Sequence, residues 1–195
     1  MAINFANEPA NQLRASGVRL MNQADVDNSG AHTITITGIP SEATKIYVMF
    51  MNWSTDNATS QRMKMRVGHG SGSNINSSSV YDWTTQYIEE NSSMNVHYGH
   101  DASYWSILDE THTGGAHADS GLITLTRMTH TSSSGNGGWM FTCQAGDTTR
   151  RLHYCSTGRW DANTGINTVQ FFNSGNEGYD AGARMIVCYE MGDYY

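Results

Sequence analysis

The sequence predicts an all-β fold: a two-sheet antiparallel β-sandwich, jelly-roll-like, with a short N-terminal arm. Three observations predict it. Short runs of alternating apolar and polar residues recur from residue 33 to the end. Gly/Ser/Asn-rich breaks separate them, with 20 Gly against only 2 Pro in 195 residues. One of the densest apolar runs, 185–189 (MIVCY), lies a few residues from the end, where a strand buried in a sheet interior explains it best.

Residues 1–30 differ from the rest and show no period-2 alternation. Pro9 is placed to open a short helix through Ser16, and Gly17 to end it. The segment reads either as an arm that docks elsewhere or as an N-terminal strand plus loop of the main domain, which spans 31–195. Asp25, Asp27 and Ser29 with Gly30 imitate the start of a calcium loop. The twelfth position is Ile36, where a bidentate Glu is required, so a polar turn is expected instead.

Residues 33–39 (TITITGI) alternate as a half-buried strand, stopped at Gly38-Ile39-Pro40. Residues 45–53 (KIYVMFMNW) are apolar on both faces. Ile46, Val48 and Phe50 take one face; Tyr47, Met49, Met51 and Trp53 take the other. Only one face of an antiparallel sandwich strand meets the core, so the second set is a candidate subunit interface. In residues 61–67 (QRMKMRV), Met63, Met65 and Val67 point in, while Arg62, Lys64 and Arg66 form a cationic ladder. That ladder is either an edge-protecting solvated face or a contact for an acidic or anionic partner.

Residues 68–79 read as loop. Residues 80–90 (VYDWTTQYIEE) fit strand or helix periodicity, and their aromatic and β-branched content favours strand. Further short strands are expected at 94–98, 122–128, 139–143 and 151–155, with 104–108 a short apolar run, for roughly nine or ten strands in all. The last pair is 166–172 (INTVQFF) and 183–191 (ARMIVCYEM), joined by a corner containing Gly175, Gly178, Asp180 and Gly182. The run 185–189 should pair with an early strand to close the fold, and 33–39 is the expected partner.

Composition narrows the function classes. A net charge of -7, with Lys45 and Lys64 as the only lysines, argues against a general nucleic-acid binder. No apolar run approaches the length of a membrane-spanning helix, and the opening MAINFANEPA shows no Sec signal. The three cysteines, Cys143, Cys155 and Cys188, read as buried free thiols, with a Cys143–Cys155 bridge left open.

Chemistry is sparsely marked. His97 and His100, with His112 and His117 following, are the best metal candidates, but residues three apart on a strand point to opposite faces unless Gly99 turns the chain. No nucleophile elbow is present. Cys143 or Cys155 beside His153 lacks a visible orienting group. Glu89, Glu90, Asp109 and Glu110 are the carboxylates available for glycoside cleavage. No catalytic residue, metal or cofactor is assigned. Aromatic residues offer another route, since platforms of this kind stack on sugars or anchor interfaces. Tyr81, Trp83, Tyr87 and Trp105, with Arg62, Lys64 and Arg66, are the candidate partner or glycan surface, and Trp53, Tyr98 and Tyr104 add to the aromatic excess.

The order of features resembles small β-sandwich structural proteins of tailed bacteriophages, namely capsid decoration (cement or head-fibre) proteins and tail-fibre tip domains. The resemblance rests on Gly38-Ile39-Pro40 followed by a strand at 46–50, a Gly-rich region after Val67, and Tyr179-Asp180-Ala181-Gly182 leading into 183–190. It implies a non-enzymatic virion protein, assembled in the host cytoplasm. It also implies a homotrimer docked on the major capsid protein or another virion protein, while charge and hydropathy lead to the expectation of no nucleic-acid or membrane partner. A receptor- or glycan-binding tail-fibre tip that engages a host surface glycan is the alternative. At 195 residues the chain has no room for a long shaft, which favours decoration over fibre.

Overall fold

A computed structural model describes residues 18–26, 33–54, 63–70, 74–88, 94–108, 119–128, 137–147, 152–162, 164–173 and 183–191. They form β1 (Val18–Val26), β2 (Thr33–Thr37), β3 (Ala43–Trp53), β4 (Met63–His69), β5 (Asn74–Ile75), β6 (Tyr81–Ile88) and β7 (Asn95–Ala102). They continue with β8 (Trp105–Leu108), β9 (Asp119–Met128), β10 (Gly138–Asp147), β11 (Leu152–Trp160), β12 (Thr168–Phe172) and β13 (Ala183–Met191). The fold is all-β, and its two antiparallel sheets pack as a sandwich. The larger runs β1-β13-β3-β9-β10-β11-β6-β7; the smaller runs β2-β12-β4-β5, with β8 also paired to β4.

Alternation in the sequence becomes burial in the fold. Ile34 and Ile36 of β2 are buried between exposed threonines. Met63, Met65 and Val67 of β4 are buried, with Lys64 and Arg66 turned out. Facing them from the large sheet are Ile46, Val48 and Phe50 of β3, Ile123 and Leu125 of β9, and Phe141 of β10. Period-2 side chains on a pleated strand allow one face to fill the core while the other stays in water.

The short strand β8 is the keystone. All four of its residues are buried. It pairs with β4 and packs against β6 and β11 of the large sheet. Hydroxyls of the large sheet donate to its carbonyls. Thr85 Oγ1 donates to the Ser106 carbonyl at 3.0 Å, and Ser156 Oγ donates to the Ile107 carbonyl at 2.6 Å. Two buried threonine and serine side chains are thereby explained, because a buried carbonyl left unpaired is costly. Trp105 then sits at the centre of an aromatic cluster, 5.1 Å from Tyr81 edge-on and 4.9 Å from Phe141. Its indole N–H donates to the Arg159 carbonyl at 3.0 Å.

Several expectations change here. There are thirteen strands among the described residues rather than nine or ten, since β1, β5 and β8 are short or lie in unpatterned sequence. Of residues 1–30, the described part Val18–Val26 is an edge strand paired along β13, and the helix expected at 9–16 lies outside the described residues. The early partner of Met185–Tyr189 is therefore not β2. β13 pairs with β1 and β3, whereas β2 pairs with β12 in the other sheet. The last two strands belong to different sheets. Of residues 80–90, Tyr81–Ile88 is strand, with Tyr81, Trp83 and Tyr87 inward.

Candidate functional site

Register places the side chains that face outward from the large sheet in rows across neighbouring strands. In one row Met49 of β3 lies between Ile186 of β13 and Leu122 of β9. Met51 follows two residues along, opposite Arg184. Met49 and Leu122 are 40% and 42% exposed, which makes this an apolar strip open to water on adjacent strands. Charge bounds it. Arg184 stands at one end, and at the other Lys45 Nζ lies 3.3 Å from Glu190 Oε2.

The next row is a line of hydroxyls. Tyr98, Thr84, Thr157, Thr142, Thr124 and Tyr47 stand on six successive strands, each opposite the next. Tyr47 Oη donates to Glu190 Oε1 at 2.6 Å, and burial together with that carboxylate pushes its phenol pKa up to about 12. Tyr47 thus edges the apolar strip with its hydroxyl already engaged.

At the β7 end the surface becomes charged. Arg159 Nε donates to Asp82 Oδ2 at 3.0 Å, and its Nη2 lies 3.2 Å from Asp161 Oδ2. Asp82 Oδ1 accepts the Asp101 backbone N–H at 3.1 Å. That backbone bond, with the Arg159 side chain and the nearby His100, holds the Asp82 carboxyl below the usual carboxylate range against partial desolvation. His100 Nδ1 lies 2.8 Å from Asp101 Oδ2. Asp101 adopts the left-handed region at φ 50°, which turns its amide toward Asp82.

Asp82, His100 and Asp101 bring three donor atoms within 4.8 Å of one another, the one such group among the described residues. The Asp82 carboxylate already serves a guanidinium and a backbone amide, so the arrangement is an ion-pair network. His97 does not join it. β7 continues as strand through Gly99, its register shift coming only beyond it, and His97 lies on the inward face and stacks on Tyr87 at 5.9 Å. His112 and His117, the carboxylates Glu89, Glu90, Asp109 and Glu110, Arg62, and the 175–182 corner lie outside the described residues, as does most of the calcium-loop-like run.

Other predicted site residues move to the interior. Trp53 leaves the interface face, because Asn52 at φ 52° and a register shift between Phe50 and Trp53 return it to the core side. Tyr81, Trp83, Tyr87 and Trp105 are buried and offer no surface platform. The layer added by β8 creates enough interior to hold them, which local pattern does not reveal. Lys64 and Arg66 stay outside but lie on rings of their own chain: Lys64 Nζ is 4.1 Å from the Tyr104 centroid and Arg66 Cζ 4.4 Å from that of Phe172.

The cysteines are free, and Cys155 is exposed rather than buried. Register sets Cys143 against Ser156 and Cys155 against Gln144, so the two thiols lie on opposite faces and no bridge can form. The same alternation separates buried Cys143 from exposed His153. Tyr98 was one aromatic among several in the sequence, and only its place on an edge strand marks it as the exposed one.

A scan against protein-family models finds no match for this chain, and a search of curated protein sequences finds none either.

Proposed function

We propose that this chain is a non-enzymatic structural subunit that assembles with copies of itself. Its place would be on a virus particle, as a trimeric decoration protein reinforcing the head of a tailed bacteriophage. The observation that carries the assembly reading is the apolar strip of Met49, Met51, Leu122 and Ile186. A small monomer gains nothing by holding such residues side by side in water, whereas an interface centre is built from them. Second copies are the favoured occupant because the strip is bounded by charges of both signs, Arg184 at one end and Lys45 with Glu190 at the other, so copies laid across one another meet like apolar surface with a mixed polar rim. The virion role rests on the resemblance in sequence order, to which a rigid sandwich of this kind is suited.

Solution mass by light scattering tests the assembly. The expected result is an oligomer, and a Met49→Asp/Leu122→Asp variant should fall to the monomer mass with an unchanged melting temperature. A wild-type monomer at high concentration would overturn the reading. Cryo-electron microscopy of particles carrying the protein tests the location: density at capsid threefold or quasi-threefold positions is expected, and density at the tail alone would reject it.

A further inference from the structure

We infer that the depression at the β6–β7 end of the large sheet's outer face is a binding site for a neutral sugar residue. It is an open depression of about 570 Å³ and is lined by Tyr98, Asp82, Arg159, His100, Met140 and Met128. Tyr98 is 78% exposed, the most exposed large apolar side chain described. It stands on an edge strand directly opposite Thr84, with Thr157 one strand further in.

The chemistry of a pyranose matches these groups one by one. One face of the ring is a patch of C–H bonds, and an open aromatic ring is the surface on which such a patch stacks. The ring edge carries adjacent hydroxyls, each both donor and acceptor. Asp82 offers acceptors and Arg159 offers donors, side by side and 3.0 Å apart. A guanidinium has five N–H donors. The bonds to Asp82 and Asp161 use part of that set and leave the remainder for a ligand. Methionine thioethers supply an adaptable apolar floor.

Both polar groups are held before any ligand arrives. Asp82 is fixed by the Asp101 amide and by Arg159, and Arg159 is fixed by carboxylates on two sides. Little side-chain freedom remains to be lost on binding. The cluster also selects by charge. Asp82 and Asp161 flank the Arg159 guanidinium and the Asp101 carboxylate lies nearby against His100, so sulfated, phosphorylated or carboxylated sugars meet net negative charge, while the guanidinium disfavours a free cation. A neutral hexose or N-acetylhexosamine unit fits both constraints. The site lies apart from the Met49–Leu122 strip, and its occupancy does not depend on assembly.

The test is ligand-observed NMR and glycan-array binding of the whole protein, using neutral hexose and N-acetylhexosamine oligosaccharides beside sulfated and sialylated ones, with and without chelator. The expected result is chelator-insensitive binding of a neutral oligosaccharide. Tyr98→Ala and Arg159→Gln should each weaken it by about tenfold or more, as loss of one good contact does, while Tyr98→Phe retains it and Met49→Asp leaves it unchanged. Tyr98 is exposed, so Tyr98→Ala should melt like wild type and stays informative if Arg159→Gln folds poorly. Absence of neutral-sugar binding, preference for anionic sugars, loss of binding in chelator, or indifference to Tyr98→Ala would each overturn the inference.

Discussion

Tyr47 on β3 and Glu190 on β13 are joined by a 2.6 Å hydrogen bond between side chains 143 positions apart, at the border where the apolar strip meets its charged rim. The bond ties neighbouring strands of the large sheet on its outer face and makes the tyrosine harder to ionise. Tyr81 is the inward counterpart: burial pushes its phenol up to about 12, although a bond with Val67 and the charge of Arg66 pull the other way.

Alkaline pH should therefore weaken the fold through these two residues. Each phenol has a higher pKa folded than the unfolded reference of 10.0. The unfolded chain gives up these protons first, so the stability they contribute is complete below pH 10 and declines as pH rises towards 12. Urea unfolding free energies across that interval should fall steadily, and Tyr81→Phe should flatten the decline. A profile unaffected by that substitution would show that other groups control alkaline unfolding.

The same Tyr81→Phe change should cost stability at neutral pH. Tyr81 Oη donates to the Asn76 carbonyl at 2.8 Å and accepts the Val67 N–H at 3.2 Å, joining β6 to β4 across the sandwich. Removing the hydroxyl leaves buried backbone groups without this partner, a loss of about 1–3 kcal/mol readable by thermal or urea melts.

Trp105→Ala should cost about 3–5 kcal/mol, since it empties the centre of the aromatic cluster. Trp105 is fully buried against Tyr81 and Phe141. Denaturant midpoints decide the matter: a variant as stable as wild type would contradict the packing described for β8.

Asn52→Val should destabilise by about 1–2 kcal/mol, because a β-branched residue resists the left-handed conformation found at φ 52°. Asn52→Gly should keep wild-type stability or slightly exceed it. Equal melting temperatures for Val and Gly at this position would remove the bulge as the reason Trp53 turns inward.

Thiol labelling of the native protein should modify Cys155 first. Its side chain is exposed on the outer face, whereas Cys143 is buried and burial, with added repulsion from Cys155 and Asp119, raises its thiol pKa. Mass spectrometry after brief alkylation should find the label on Cys155, and Cys143 should react only on unfolding.

Much of this architecture is legible without coordinates. Thr33–Thr37 and Met63–His69 write their buried faces directly into a period of two, and Ala183–Met191 has the bounds its apolar pattern predicts. The outward set Tyr47, Met49 and Met51 follows from the same counting. Such features are local: the pleat alternates side chains whatever lies beyond the strand. Partners and cover are not local. Pairing of β13 with β1 rather than β2, the return of Trp53 to the core, the burial of Trp83 and of Trp105 on β8, and the meeting of Tyr98 with Asp82 and Arg159 all depend on residues distant in sequence. Their outcome is decided by which sheets stack and where a strand slips by one residue, because one slip exchanges inside for outside.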